Sequence, residues 1–149
     1  MTNLAPLMSS AKDDWQTPDV LLDLVRKIRP ISLDPATCAS NPTRAEKFYT
    51  PTEDGLLRSW AECKALVYCN PPYGREISKW ISKASREVLL GAEVVMMLLP
   101  ARPDTRWWQD HIESWSAVAF WRGRLRFRGA SSCAPFPSAI WYAGCATGV

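Results

Sequence analysis

Residues 65–73 read Ala65-Leu66-Val67-Tyr68-Cys69-Asn70-Pro71-Pro72-Tyr73, and this stretch decides the fold. The first five residues are apolar without alternation. That is the pattern of a short strand covered on both faces, as in a parallel sheet. Two consecutive prolines then stop any regular element, because each lacks an N–H and fixes φ. The chain is expected to turn stiffly at the carboxyl end of that strand, the end at which open α/β sheets bind ligands. At the turn Asn70 offers a side-chain carbonyl, Pro71 a main-chain carbonyl and Tyr73 a flat ring. Two acceptors beside one ring suit a planar group with an exocyclic amine, and a nucleobase is such a group. The competing reading makes Pro-Pro a plain strand terminator and Asn70 a turn former.

Upstream, Thr17 is a good helix N-cap and Pro18 is at home in the first helical position. Leu21, Leu24, Val25 and Ile28 recur at helical spacing, and Pro30 closes the helix. Trp15, just before the cap, either staples the helix entry to the core or forms an aromatic wall for a ligand. Ile31-Ser32-Leu33-Asp34 reads as a strand closed by Pro35. An acidic residue at a first strand's tip is where nucleotide-binding folds place a carboxylate to meet ribose or an ammonium group. The following loop, Ala36-Thr37-Cys38-Ala39-Ser40-Asn41, has no glycine, so a dinucleotide fingerprint is absent. Lys47 to Thr50 predicts a brief second strand, and Leu56 to Ala61 a helical turn. Between them Glu53 and Asp54 are candidate acceptors for ribose or adenine, or else a solvated helix start.

Downstream, Ile77, Trp80, Ile81, Ala84 and Val88 predict an amphipathic helix ending near Gly91. Glu93 to Leu99 is the most apolar run and predicts a central strand ended by Pro100. Asp104 is placed to cap a helix through Ile112. Ala117 to Trp121 and Ser138 to Ala143 predict two more strands. Between them Arg122, Arg124, Arg126 and Arg128 fall on every second residue, with Leu125 and Phe127 interleaved. In an extended strand this puts four guanidiniums on one face. They are either a solvated face or, because like charges repel, a grip for a polyanion.

The totals narrow the class. A chain of 149 residues fits one domain, expected over residues 13–149 behind a mobile tail at 1–12. No apolar run is long enough to span a membrane, and the start has no signal-peptide pattern, which predicts a cytoplasmic protein. Five cysteines without a C-x-x-C pair, and a single histidine, argue against a zinc site and for reduced, buried thiols. A net charge of +3 permits nucleic-acid binding without demanding it. Eight tryptophans exceed the usual needs of so small a core, so some are expected to stack on a ligand.

Six stretches then stand in order: Trp15-Gln16-Thr17-Pro18, Leu33-Asp34-Pro35-Ala36, Asn70-Pro71-Pro72-Tyr73-Gly74, Leu98-Leu99-Pro100-Ala101-Arg102, Gly123-Arg124-Leu125-Arg126-Phe127 and Pro135-Phe136-Pro137-Ser138-Ala139. Asn-Pro-Pro-Tyr resembles the catalytic motif of S-adenosylmethionine-dependent amino-methyltransferases. The ordered set, nearly the whole chain, resembles the Dam-like DNA adenine-N6 methyltransferases of phages and prophages. The resemblance implies an α/β, Rossmann-like single domain of reduced size, mostly parallel with an antiparallel C-terminal strand. It implies S-adenosylmethionine as donor and DNA adenine as acceptor, without a metal. Asn70, Pro71, Pro72 and Tyr73 would be catalytic, with the first two carbonyls on the target amine and Tyr73 stacked on the base. Trp15, Thr17, Pro18, Asp34, Pro35, Ala36 and Asp54 would line the cofactor site. Arg102, Arg122, Arg124, Arg126 and Arg128 would contact DNA. The chain departs from methyltransferases generally in its glycine-free first loop and in lacking a clear ribose-binding acid. The remaining alternatives are a methyltransferase for RNA adenine or protein glutamine, and a DNA-binding module without catalysis.

Overall fold

The computed structural model of the chain describes residues 15–144. The tail expected at 1–12 and Cys145 lie outside the described residues. Six strands form one sheet: β1 (Ile31–Asp34), β2 (Lys47–Phe48), β3 (Leu66–Cys69), β4 (Val94–Pro100), β5 (Ala117–Phe120) and β6 (Ser138–Gly144), in the order β2-β1-β3-β4-β6-β5. β1 pairs in parallel with β2 and β3, and β3 with β4. β6 enters antiparallel between β4 and β5. This is the α/β sheet expected, with its antiparallel strand at the C-terminal end. β1, β3 and β4 are buried along their whole length, as unbroken apolar runs require. Because they run in parallel, their carboxyl ends bring Asp34, Asn70 and Pro100 to one edge of the sheet.

Helix α1 (Asp19–Ile28) begins one residue later than its cap chemistry suggests. Pro18 precedes it and its carbonyl receives the N–H of Leu21 and Leu22, while Thr17 turns its hydroxyl inward to Tyr68. The buried face is correspondingly Leu21, Leu22 and Val25, and the expected stripe members Leu24 and Ile28 are exposed. Helix α2 (Ile77–Leu89) buries Ile77, Trp80, Ile81 and Ala84 as its spacing predicts. Buried Glu87 on α2 accepts from the N–H of Trp60 and Ala61 and pairs with Lys83, tying the chain before β3 to this helix. Helix α3 (Arg106–His111) is capped by Thr105 rather than Asp104, through a bond from the Trp108 N–H. The helical turn expected over 56–61 is a single 3₁₀ turn, Gly55–Leu57.

Two expectations fail more broadly. Residues 122–128 are not a strand; they belong to an irregular connection between β5 and β6. Gly123 and Gly129 take left-handed φ values of 76° and 77°, which break the extended run at both ends. The alternation survives without the ladder: Leu125 and Phe127 are each 2% exposed and the four arginines face solvent. An extended backbone alternates its faces whether or not it has a pairing partner. The cysteines also differ from expectation. Among the described residues only Cys69 is buried, while Cys38 and Cys63 are half-buried and Cys133 is exposed. Most tryptophans serve the core: Trp60, Trp80, Trp108, Trp115 and Trp141 are buried, and Trp108 and Trp115 meet Trp141 edge-on. No helix among the described residues is long and apolar enough to cross a membrane.

Candidate active site

The turn after β3 carries an amide with a defined orientation. Asn70 Nδ2 donates to the main-chain carbonyl of Trp15 and, at 3.2 Å, to Thr17 Oγ1. A carbonyl can only accept, so the Trp15 contact assigns that position to the amide nitrogen. Both donors of the amide are thereby used. Its oxygen, Oδ1, is shielded from solvent and has no partner among the described residues. A buried acceptor left without a donor carries a desolvation penalty of about 1–3 kcal/mol. Such a group in a native site needs a reason, and an incoming donor is one.

Beside it lies a cavity of about 560 Å³, within the usual size range for small-molecule sites. Trp15, Thr17, Asp34, Pro35, Ala36, Asp54, Asn70 and Pro72 all line it. The fold thus gathers eight of the residues picked out from four separate stretches of sequence. Asp34 is 3% exposed and accepts from Thr43 Oγ1 at 2.8 Å and from the Ala36 N–H at 3.2 Å. Burial pushes its carboxyl up to about 6, against the lowering effect of hydrogen bonds from Thr43, Ala36 and Thr37. The glycine-free loop is held by Asn41, which takes a left-handed φ of 47°. Its amide bonds both the N–H and the carbonyl of Ala45 and also receives Thr43 Oγ1. Asn41 therefore supplies the tight turn for which a glycine is usual, and delivers Thr43 to Asp34.

The opposite wall comes from the loop after β2. Asp54 lines the cavity, adopts a left-handed φ of 56° and accepts from the Leu56 N–H. Glu53 does not line it; it is exposed and bonded to Thr50. Gly55 is pressed against the β1 turn, where a Cβ would lie 2.0 Å from the Pro35 carbonyl oxygen. Sequence reasoning missed Gly55, Thr43, Trp80 and Glu76 as cavity residues. The Asp54-Gly55 turn signal pointed to the first, but Trp80 looked like an ordinary core position on an amphipathic helix.

Pro18, Pro71 and Tyr73 do not line the cavity. Tyr73 is 9% exposed and its hydroxyl donates to the Leu98 carbonyl at 3.0 Å. Phe136 and Phe127 stand edge-on to its ring, with centroids 5.7 and 6.4 Å away. Both also meet Trp15, at 5.3 and 5.1 Å. The connection carrying the arginines therefore covers Tyr73 with its apolar side. It is fastened there by a bond from the Arg128 N–H to the Gln16 carbonyl. Arg124 and Arg126 reach back to the carbonyls of Ala134 and Ala130, whereas the side chains of Arg122 and Arg128 bond no described residue. Arg102 lies over the Phe136 ring at 6.0 Å. Among the described residues no group of three His, Cys, Asp or Glu is placed to hold a metal.

A family model described as DNA N-6-adenine-methyltransferase (Dam) matches residues 5–138. No curated protein matches the chain.

Proposed function

Because the chain belongs to the DNA N-6-adenine-methyltransferase (Dam) family, we propose that it transfers a methyl group from S-adenosylmethionine to the N6 amine of adenine in DNA. The observation that carries this reading is the Asn70 amide, which has both N–H groups occupied and its oxygen unpartnered. An exocyclic amine is the donor that such an acceptor lacks.

Adenine's amine is a poor nucleophile because its lone pair is delocalised into the ring. Oδ1 of Asn70 and the carbonyl of Pro71, accepting from its two N–H bonds, favour a pyramidal nitrogen and stabilise the positive charge that grows on it. S-adenosylmethionine, when bound, supplies an activated methyl group carried on a positive sulfur. The cavity fits that molecule in size and in its donor set. Ionised Asp34 would hold its ammonium group, Asp54 its ribose hydroxyls, and Trp15 and Trp80 its flat and apolar parts. Bringing the amine and the donor together in one site lowers the barrier through proximity.

The target base must leave the duplex, which costs a few kcal/mol. Stacking on Tyr73 offsets roughly 1–3 kcal/mol of this once Phe127 and Phe136 withdraw. The exposed arginines on the same connection would grip phosphates, which supply affinity and register but little sequence choice. Recognition is accordingly short or loose. The work would be done where the DNA is, in a bacterial cytoplasm.

The test is transfer of labelled methyl from S-adenosylmethionine to duplex DNA, RNA and a protein mixture, followed by nucleoside analysis of the product. N6-methyladenine in DNA is the expected result. Label found only in RNA or in protein amides would move the activity to another substrate class. Cofactor-independent DNA binding with no transfer would leave a binding module.

A further inference from the structure

Thr17 and Tyr68 form a buried chain behind Asn70. Tyr68 sits in β3 two residues before Asn70, so the two side chains leave the strand on the same face. Its hydroxyl meets Thr17 Oγ1 at 2.8 Å, and Thr17 Oγ1 receives Asn70 Nδ2 at 3.2 Å. Tyr68 is fully buried and Thr17 is 4% exposed. Burial pushes the Tyr68 phenol far up, and its hydrogen bond to Thr17 only partly opposes this, so it stays a neutral hydroxyl.

We propose that Tyr68 and Thr17 are positioning residues that hold the Asn70 amide with its oxygen toward the substrate amine. This rests on the methyl-transfer reading above. An asparagine amide has two orientations related by a half-turn, and only one offers an acceptor to an incoming amine. With the amide turned, its NH₂ would face the substrate's N–H bonds, donor against donor. The Trp15 carbonyl opposes the turn, since it would then meet another oxygen. Thr17 is ambivalent by itself, because a hydroxyl both donates and accepts. Tyr68 removes the ambivalence when it accepts the Thr17 proton: that proton is then used, and the lone pairs left on Thr17 accept from Asn70. Without the Tyr68 hydroxyl, the Thr17 proton is released to meet the oxygen of a turned amide at the same position, and the turned amide becomes competitive. Thr17 thus acts on the reaction through Asn70, although its place in the cavity wall alone suggests a cofactor contact.

Four proteins test this: the wild type, Tyr68→Phe, Thr17→Val and Thr17→Ser. Turnover, S-adenosylmethionine affinity and thermal stability are measured on each. So is solvent exchange of the Asn70 side-chain N–H protons, assigned by comparison with Asn70→Ala. Tyr68→Phe and Thr17→Val are expected to lose at least about tenfold in kcat, and Tyr68→Phe, which lies outside the cavity lining, to change cofactor affinity less than twofold. Thr17→Ser is expected to recover most of the loss seen in Thr17→Val. The amide protons should exchange slowly in the wild type and Thr17→Ser, and faster in the other two. An unchanged kcat in both damaged variants overturns the proposal. So does a loss of cofactor affinity or stability in Tyr68→Phe that tracks its loss of kcat, which would make the pair merely structural. If the wild type methylates nothing, the functional reading fails instead. Amide exchange then decides the orientation alone, and protection equal in all four proteins would overturn it.

Discussion

Asn70 contributes two donors and one acceptor, and the fold uses the donors on its own chain. Asn70→Ala removes the acceptor while leaving the Trp15 and Thr17 backbones in place. One lost transition-state contact of this kind is expected to cost about 3–4 kcal/mol, or some two to three orders of magnitude in kcat. Cofactor binding by calorimetry should be unchanged, and a variant within threefold of wild-type turnover would remove Asn70 from the chemistry. Asp34 is the second residue with a clear consequence. Its folded pKa of about 6 lies above the ordinary 3.8, so the folded protein holds the proton more tightly than the unfolded chain. The stability this contributes is full below the unfolded value, and is lost as pH rises through about 6. At neutral pH the buried carboxylate costs at most about 3 kcal/mol. Asp34→Asn keeps an acceptor for Thr43 but sets its NH₂ against the Ala36 N–H, so its expected mark is a stability with no such slope between pH 4 and 6. Cofactor affinity should behave in the opposite sense. In the wild type it rises over that interval as the carboxylate forms, and in Asp34→Asn it is weak and flat. Denaturation midpoints and cofactor titrations across pH check both halves. Stability and affinity that move together would make Asp34 a structural residue only.

At the scale of elements, the strand ends were legible because each carries its own stop. Pro35, Pro71 and Pro100 close three apolar runs, and apolar runs closed by proline leave few other readings. Thr17 was misread for the complementary reason. A hydroxyl residue before a helix signals a cap, and nothing local reveals that Tyr68, 51 positions on, attracts it inward. The arginine connection was half legible. Period two declares which side chains share a face, but not whether a neighbouring strand exists to pair with. This difference redirects the DNA experiment. Arg124 and Arg126 brace the connection through Ala134 and Ala130, so removing them disturbs the loop as well as the charge. Arg122 and Arg128 are the cleaner probes. Their double replacement by alanine should weaken binding to all DNA sequences alike and flatten the salt dependence by up to about two phosphate contacts. Coincident slopes would place the DNA elsewhere, and a changed target sequence would mean that these arginines read bases. The cavity wall gives a separate element-level test. In Gly55→Ala the added methyl meets the Pro35 carbonyl, so the β1 and β2 loops must part. A stability loss of about 1–3 kcal/mol is expected, by the usual cost of overpacking. Cofactor affinity should fall with it, and an unchanged affinity would mean that the wall is not part of the site.

Across the whole molecule, sheet order and cavity membership were beyond a sequence reading, since both depend on which distant segments meet. Trp80 and Thr43 reach the cavity from a helix face and a loop that carry no ligand signature of their own. The class of fold was legible because several local signals agree on a parallel sheet, and part of the cavity lining because Asp34 and Asn70 fall at strand ends. One arrangement links the cavity, Tyr73 and the connection that covers it. The cavity beside Asn70 is open, while Tyr73 lies covered by Phe127 and Phe136 on a connection whose other side is cationic. If the target base stacks on Tyr73 as proposed, uncovering it would depend on parts of the substrate that never react. Binding energy gathered by phosphates is directed to the reacting centre, and a truncated substrate forfeits it in kcat. Free 2′-deoxyadenosine contains every atom of the methylated amine but no flanking phosphodiester to draw the arginines away. Its turnover is expected to lie at least about a thousandfold below that of a short duplex. Extending it one nucleotide at a time should restore activity in steps, as single phosphates come within reach of the connection; equal turnover at every length would mean that Tyr73 opens unaided. An enzyme built this way would ignore the cell's pool of free nucleosides and keep its methyl donor for polymer.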